Sequence, residues 1–448
     1  MSSATLKKKA LNGTIWTFAG YGFSQSLRLG SNLILTRLLV PELFGLMALV
    51  NVFITGLTLF SDIGIRPSII QNKRGDDPVF LNTAWTIQVI RGFLLWLGCI
   101  LIALPVAQFY EEPRLSWLIP LVGFNTIVVG FTSTSLATLS RHMEVGKLTI
   151  YELVTQIISL VFLVVWAWLS PTIWALVGGT FLSSFSKVGL SHYLNSGEFN
   201  RFTWNQEVVK EITTFGRWIL ISTAMTFLAS QVDRLILGKL FSLEMLGVYT
   251  IAFTVSEIPR QIVKKVGMSV IFPLVSRQAD RPRQELKAKI VKQRWKLLLS
   301  LALIVGSMVG FGDLIISKLY DERYIAATWM LPILGLGIWP IVLSDTLGRC
   351  LNALGKPHYL AWGSFYRFLF ISIGLPLAFY QAGGVLGVLI VVALNDIPSY
   401  LTVAYGLKQE KLLCIQQDIK ATGVFIGLVM LIFIGRSFIG LDLPIITT

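Results

Sequence analysis

The sequence predicts an all-α polytopic membrane protein, with two six-helix repeats running in the same direction and one additional helix at the C-terminal end. Three observations carry this prediction. Of the 448 residues only 14% are charged and 54% are hydrophobic, too few charges to cover a soluble globule of that length. Nearly uncharged runs of about 20 residues recur along the chain, each long enough to cross a hydrocarbon layer about 30 Å thick. One stretch also occurs twice. A shift of 202 positions lays Trp16 on Trp218, Leu33-Ile34-Leu35 on Leu235-Ile236-Leu237, Leu38 on Leu240, Glu42 on Glu244 and Gly45 on Gly247, with Arg37 on Lys239.

Taken in order, the apolar runs predict spans near 14–37, 43–65, 83–108, 115–140, 148–169 and 172–194, then 213–238, 244–270, 296–319, 325–350, 359–381 and 383–407, with a thirteenth near 421–441. Six spans return the chain to its starting side, so both copies of the repeat enter the membrane in the same direction, about a pseudo-two-fold axis along the membrane normal. The expected domains are 1–205, an N-terminal six-helix lobe with its linker, 206–410, a second six-helix lobe, and 411–448, the additional helix and tail. The longest polar stretches are Asn195 to Glu211, which reads as the linker between lobes, and Arg277 to Lys296. The latter sets Leu286, Ile290, Val291 and Trp295 among lysines, so it reads either as a helix on an anionic leaflet or as a solvated loop.

Lys and Arg total 38 against 24 Asp and Glu, a formal net charge of +14. On a soluble chain this excess would raise nucleic-acid binding; here sidedness accounts for it, and no nucleic-acid partner is expected. Lys7 to Lys9, Lys73, Arg74, Arg141, Lys147, Arg201, Lys210, the run from Arg277 to Arg294, Arg349, Lys356, Lys408, Lys411 and Lys420 fall on the side of the N-terminus. Only Arg37, Arg114, Lys239, Lys318 and Arg323 fall opposite. By the positive-inside rule the N-terminus is cytoplasmic. The first apolar run is too long for a secretory signal, lacks a small-x-small cleavage pattern and contains Arg28, so it reads as an uncleaved span. Cys99, Cys350 and Cys414 are scattered and His142, His192 and His358 fall near connections, a pattern that indicates no disulfide framework, metal site or cofactor.

Ionisable groups inside spans cost roughly 2.5 to 3.5 kcal/mol each at mid-depth, so they mark where a membrane helix faces protein or water. In the first span Tyr21, Gln25, Arg28 and Asn32 follow one another at helical spacing and share a face. Their repeat counterparts are Thr223, Phe227, Ser230 and Arg234, with Asp233 adjoining. Glu257 and Arg260 flank Pro259 near the middle of the eighth span; they pair with each other or hold a site for substrate or a coupling cation. Asn395 and Asp396 precede Pro398 in the twelfth, where Asp396 is a candidate proton or sodium site unless a cation on another helix pairs with it. Asp62, Arg66, Arg91, Glu152, Asp345 and Arg367 read as groups near the ends of spans, with Arg66, Arg91 and Arg367 able to enlarge a basic vestibule.

The stretches LILTRLLVPELFGLMAL (33–49), SDIGIRPSIIQ (61–71), DRLILGKLFSLEMLGVYTIAF (233–253) and NALGKPHYL (352–360) resemble the Wzx-type oligosaccharide flippases, the polysaccharide-transporter branch of the multidrug/oligosaccharidyl-lipid/polysaccharide (MOP) exporter superfamily. The resemblance implies two lobes around a central basic cavity. It further implies export of undecaprenyl-diphosphate-linked oligosaccharide across the inner (cytoplasmic) membrane for cell-surface polysaccharide by alternating access. Cavity arginines would meet the diphosphate, a role carried onto Arg28 and Arg260, with Tyr21, Gln25, Asn32, Glu257 and Arg234 around them. The implied partners are the lipid-linked oligosaccharide, the bilayer, a polymerase or other pathway proteins, and a coupling proton or sodium ion. A thirteenth span departs from the twelve or fourteen that the resemblance implies. Two other readings stay open. A membrane glycosyltransferase or polymerase of the same pathway would need a catalytic acid or base on a sizeable outer loop, yet the outer connections are short and Glu111, Glu112, Asp321 and Glu322 sit beside basic residues. A drug/cation antiporter of the same superfamily would favour acidic cavities, against which Arg28 argues.

Overall fold

The computed structural model describes residues 3–194, 199–267, 282–381 and 383–441, together with Ile271 and Val275. Arg277, Arg281 and the start of the expected linker, residues 195–198, lie outside them. The described elements are helical throughout. The chain divides into two compact units, Met1–Phe227 and Leu228–Thr448.

The first unit contains α1 (Ser3–Leu38), α2 (Pro41–Phe60), α3 (Ile65–Gln71), α4 (Pro78–Tyr110), α5 (Leu115–Gly123), α6 (Asn125–Gly130), α7 (Ser135–Arg141), α8 (Val145–Leu169), α9 (Ile173–Tyr193) and the beginning of α10 (Gln206–Leu240). The repeated charged turn has a helical cause. Arg37 and Lys239 sit in the last turns of α1 and α10, where carbonyls leave partial negative charge. Glu42 follows in the first turn of α2, which Pro41 starts with its fixed φ. Glu244 follows in the first turn of α11 (Leu243–Val266), whose N-cap Ser242 accepts from Met245 N at 3.2 Å.

Two spans of the first unit differ from expectation. The second ends at Phe60; Asp62 then accepts from Gly64 N at 2.9 Å, and Gly64, at φ 64°, takes the left-handed turn that starts α3. The fourth is broken, with α5 and α6 bent by 60° from α7. Pro120 interrupts α5, and Thr132, Ser133 and Thr134 offer hydroxyls that compete with helical bonds. Side chains satisfy the freed backbone. Gln88 Nε2 donates to Gly130 O at 2.9 Å and Thr132 O at 3.0 Å, and Ser133 N donates to Ser191 Oγ at 2.9 Å.

The division between units falls inside α10 rather than in the polar connection before it. Val208 and Ile212 are fully buried with Ile65, Ile69 and Phe80, and Phe227 meets Phe60 edge-on at 5.3 Å. The first half of α10 therefore belongs to the first core.

The second unit continues through α11 to α12 (Arg283–Leu319), a short turn at Glu322–Tyr324, α13 (Ala327–Ala353), α14 (His358–Gln381), α15 (Val385–Leu394), α16 (Ile397–Gln409) and α17 (Ile415–Phe438). The basic stretch after Pro282 is neither a separate surface helix nor a loop. It is the first part of the 37-residue α12, held in place because Leu286 and Ile290 enter the core with Leu347, Leu351 and Leu407. The expected twelfth span is two helices joined at Asn395 and Asp396.

The thirteenth helix, α17, lies parallel to α12. Arg294, wholly buried, reaches Asp418 Oδ1 at 2.5 Å near the start of both helices, and Asp418 Oδ2 accepts from Tyr400 OH at 2.8 Å. Near their far ends Arg436 grips Asp313 with both terminal nitrogens at 2.6 Å. Such two-pronged pairs fix register as well as charge.

Among the described residues nine helices are long and apolar enough to cross a membrane, or ten if the bent span counts. The other three expected spans, α1, α10 and α11, run for 36, 35 and 24 residues. These three helices carry most of the polar candidates. Their length suffices to cross.

Candidate functional site

Each unit holds one group of the candidate residues. In the first, Gln25 Nε2 donates to Tyr21 OH at 2.7 Å, so the two share a face of α1. Gly20 is buried against Thr149, and Ser24 Oγ donates to Gln156 Oε1 at 2.6 Å, which seats α1 on α8 beside this face. Asn32 is half-buried. Arg28 is exposed, and among the described residues no carboxylate lies within ion-pair distance of it. The repeat counterparts part ways. Thr223 donates to Leu59 O at 2.7 Å and Phe227 packs on Phe60, both as structural contacts of the first unit.

In the second unit, Arg234 lies 5.1 Å from the centroid of the Phe253 ring and donates to Gln231 Oε1 at 3.2 Å. Asp233 is buried and accepts from Tyr249 OH at 3.4 Å. Further along α11, Arg260 donates to Glu257 Oε1 at 2.8 Å, the intrahelical pair expected from their spacing. Arg260 Nη2 also lies 4.0 Å from Asp396 Oδ1.

The cation for Asp396 comes from another helix. Arg367 of α14 approaches Asp396 Oδ1 to 3.3 Å, and with the Asn395 amide turned toward its donors, the amide oxygen accepts from Arg367 Nε at 2.8 Å and Nη2 at 3.2 Å. Reading Arg367 as a group near a span end therefore misplaces it. It is a half-buried member of the cluster. Two guanidiniums, of Arg260 and Arg367, and three carboxylates, of Asp233, Glu257 and Asp396, thus line a cavity of about 30 Å³ together with Ser256, space for a water molecule. A countable signal points to Arg367: it is the one charge between Lys356 and Asp396, and a buried carboxylate needs a cation within reach.

Other charged candidates are settled by neutral or rim partners. Arg66 donates to Ser140 Oγ at 2.9 Å, while Arg91 donates to Ser61 Oγ at 3.1 Å and Thr58 O at 2.6 Å. In the connection after α4, Arg114 bonds Glu112 at 2.7 Å and Glu42 at 2.5 Å. The hydrogen bond from Arg114 holds the Glu112 carboxyl below its ordinary range. Asp321 likewise pairs with Arg323 at 3.0 Å. These are rim pairs. Among the described residues no group of three His, Cys, Asp or Glu side chains is close enough to hold a metal ion.

Residues 34–329 match the family model described as polysaccharide biosynthesis protein. The chain belongs to this family. As a member of the polysaccharide biosynthesis family it is 23% identical over 407 residues to the lipopolysaccharide biosynthesis protein WzxC of Escherichia coli (strain K12), covering 88% of this chain and 81% of the relative. Its fold is similar to that of the lipid II flippase MurJ in an inward closed conformation, with a TM-score of 0.71 at 12% identity over 95% of this chain and 92% of that one. It is also similar to an inward-facing multidrug resistance MATE family transporter of the MOP superfamily, with a TM-score of 0.69 at 13% identity over 87% of this chain and 95% of that one. This polysaccharide biosynthesis protein is a multi-pass membrane protein with the MOP transporter fold.

Proposed function

We propose that the protein is a flippase, not an enzyme, and that it moves a lipid-linked oligosaccharide, its diphosphate carried on a polyprenyl tail, across the cytoplasmic membrane for surface polysaccharide synthesis. The observation that supports this most directly is Arg28: an exposed guanidinium within a long membrane helix, on a face with Tyr21, Gln25 and Asn32, and without a carboxylate partner among the described residues. A cation held there for structure alone would be paired, as Arg260, Arg294 and Arg436 are. Arginine suits diphosphate because its planar fork bonds two phosphate oxygens and its charge is permanent. The polyprenyl tail stays in the bilayer while the headgroup crosses, with Arg28 exposed alternately to the two sides. With the cell interior negative, outward movement of an anion is favoured by about 2.3 kcal/mol per charge per 100 mV.

The test is flipping of a labelled lipid-linked oligosaccharide in vesicles, normalised to folded protein. Arg28→Gln is expected to keep normal abundance and lose transport, and Arg28→Lys to retain part of it, since charge persists while the two-pronged geometry is lost. Full transport by Arg28→Gln would remove Arg28 from the substrate path. Arg260 is assigned a second contact to the diphosphate, available when the carboxylates around it exchange partners, with Glu257 and Arg234 beside it.

A further inference from the structure

A second cavity, within the first unit, has no part in the proposed diphosphate path. It measures about 420 Å³ and lies between α2, α3, α4, α9 and the broken span α5 to α7. That size falls in the range of small-molecule pockets, roughly 300–1,000 Å³. Arg66 and Arg91 both line it, together with the amides of Asn51, Gln88 and Asn125 and the hydroxyl of Thr180, and among the described residues no carboxylate does. Asp62, the acid nearest to Arg66 in sequence, is turned to cap Gly64 N.

The hydrogen-bond partners of the two guanidiniums are uncharged. Arg66 is held by the Ser140 hydroxyl, and Arg91 by the Ser61 hydroxyl and the Thr58 carbonyl, all uncharged acceptors. The amides are similarly placed. Gln88 spends its nitrogen on the two carbonyls freed by the helix break, which leaves its oxygen to accept. Asn125 Oδ1 is buried and has no hydrogen-bond partner among the described residues. A buried acceptor without a donor is costly in the empty pocket and useful only toward a ligand that donates. Close approach of the walls is built in, since a Cβ on Gly92 would lie 2.6 Å from Thr126 O.

We propose that this cavity is an anionic-sugar site: the two arginines take a carboxylate or phosphate on one sugar residue, and the amide and hydroxyl groups take its hydroxyls. Two fixed cations in a cavity that no carboxylate lines select an oxyanion. Neutral acceptors such as Asn125 Oδ1 select the sugar hydroxyls, and the aliphatic remainder of the wall suits the C–H faces of the ring. The site stands apart from Arg28 and does not depend on the transport role.

The experiment is ligand-observed NMR titration of the full chain in lipid nanodiscs with four probes: glucuronate, glucose 1-phosphate, neutral glucose and inorganic phosphate. At least one of the two charged sugars is expected to bind ten-fold or more tightly than both glucose and inorganic phosphate; which one binds identifies the carboxylate or the phosphate as the source of charge. Arg66→Gln, at an exposed position, is expected to weaken that binding at least ten-fold without moving the unfolding midpoint. Asn125→Leu is expected to weaken binding while holding or raising the midpoint, because it removes the unpaired acceptor. Equal binding of glucose, equal binding of inorganic phosphate, or unchanged affinity in Arg66→Gln would each overturn the assignment.

Discussion

Asp396 shows what a single buried charge reveals and conceals. Its position in an apolar run makes it informative, because a carboxylate there must be protonated, paired or open to water. The same logic singles out Glu257 and Arg260, and the structure brings all three together. Arg367 escapes it because counting residues from the end of a span misjudges depth, whereas a guanidinium reaches several ångströms from its own backbone. With Arg367 at 3.3 Å and Arg260 at 4.0 Å from the same oxygen, Asp396 is the hub of the cluster. Asp396→Asn is therefore expected to destabilise the chain by about 3–5 kcal/mol, the usual result of leaving buried cations unpaired. Adding Arg367→Gln should restore part of that loss, read as the unfolding midpoint in detergent. If Asp396→Asn instead unfolds like the parent and loses only the ion dependence of transport, the coupling role expected from its isolation in the sequence is correct and the cluster is not what holds it.

Whole helices are legible where hydropathy and turn chemistry agree. The charged turn between the first two helices of each copy is visible as a repeat, and its cause is the pairing of a basic last turn with an acidic first turn. The rim pair that closes on it also carries a pH signature. Glu112, held low by Arg114, contributes stability that is present above the ordinary glutamate pKa of about 4.3 and is lost as pH falls through its lowered value. The contribution is below about 1 kcal/mol for a pair this exposed. Arg114→Met should flatten the acid limb of the pH–stability curve and leave the neutral region little changed. Less legible is the break in the fourth span, because nothing local says that Gln88, from a different helix, will take the two freed carbonyls. Gln88→Leu is expected to cost about 1–3 kcal/mol through those unpaired carbonyls, measured as a lower unfolding midpoint; an unchanged midpoint would mean that the broken segment satisfies itself.

At the scale of the molecule, the repeat implies a common direction for its two copies on its own, since six spans bring the chain back to its starting side. The boundary between units is not legible in the sequence, because α10 gives its first half to one core and its remainder to the other while its composition changes little at Phe227. Nor is the placement of the last helix, whose Asp418 and Arg436 pair with Arg294 and Asp313 far back along the chain. Because α17 runs parallel to α12, the end of α17 lies on the same side as the end of α12 and the Asp321–Arg323 rim. The lysine and arginine asymmetry predicts that this side is extracytoplasmic. Topology can be read with single cysteines, since Cys99, Cys350 and Cys414 are all buried and give little background. In intact cells a membrane-impermeant thiol reagent is expected to label Glu112→Cys and Leu441→Cys but not Asp77→Cys or Lys289→Cys. Labelling of Leu441→Cys together with protection of Lys289→Cys requires an odd number of crossings between them, which the five segments α12, α13, α14, α15–α16 and α17 provide. Protection of Leu441→Cys with labelling of Glu112→Cys would instead mean that α17 does not cross, and its two buried arginine pairs would then have to hold it at the membrane surface.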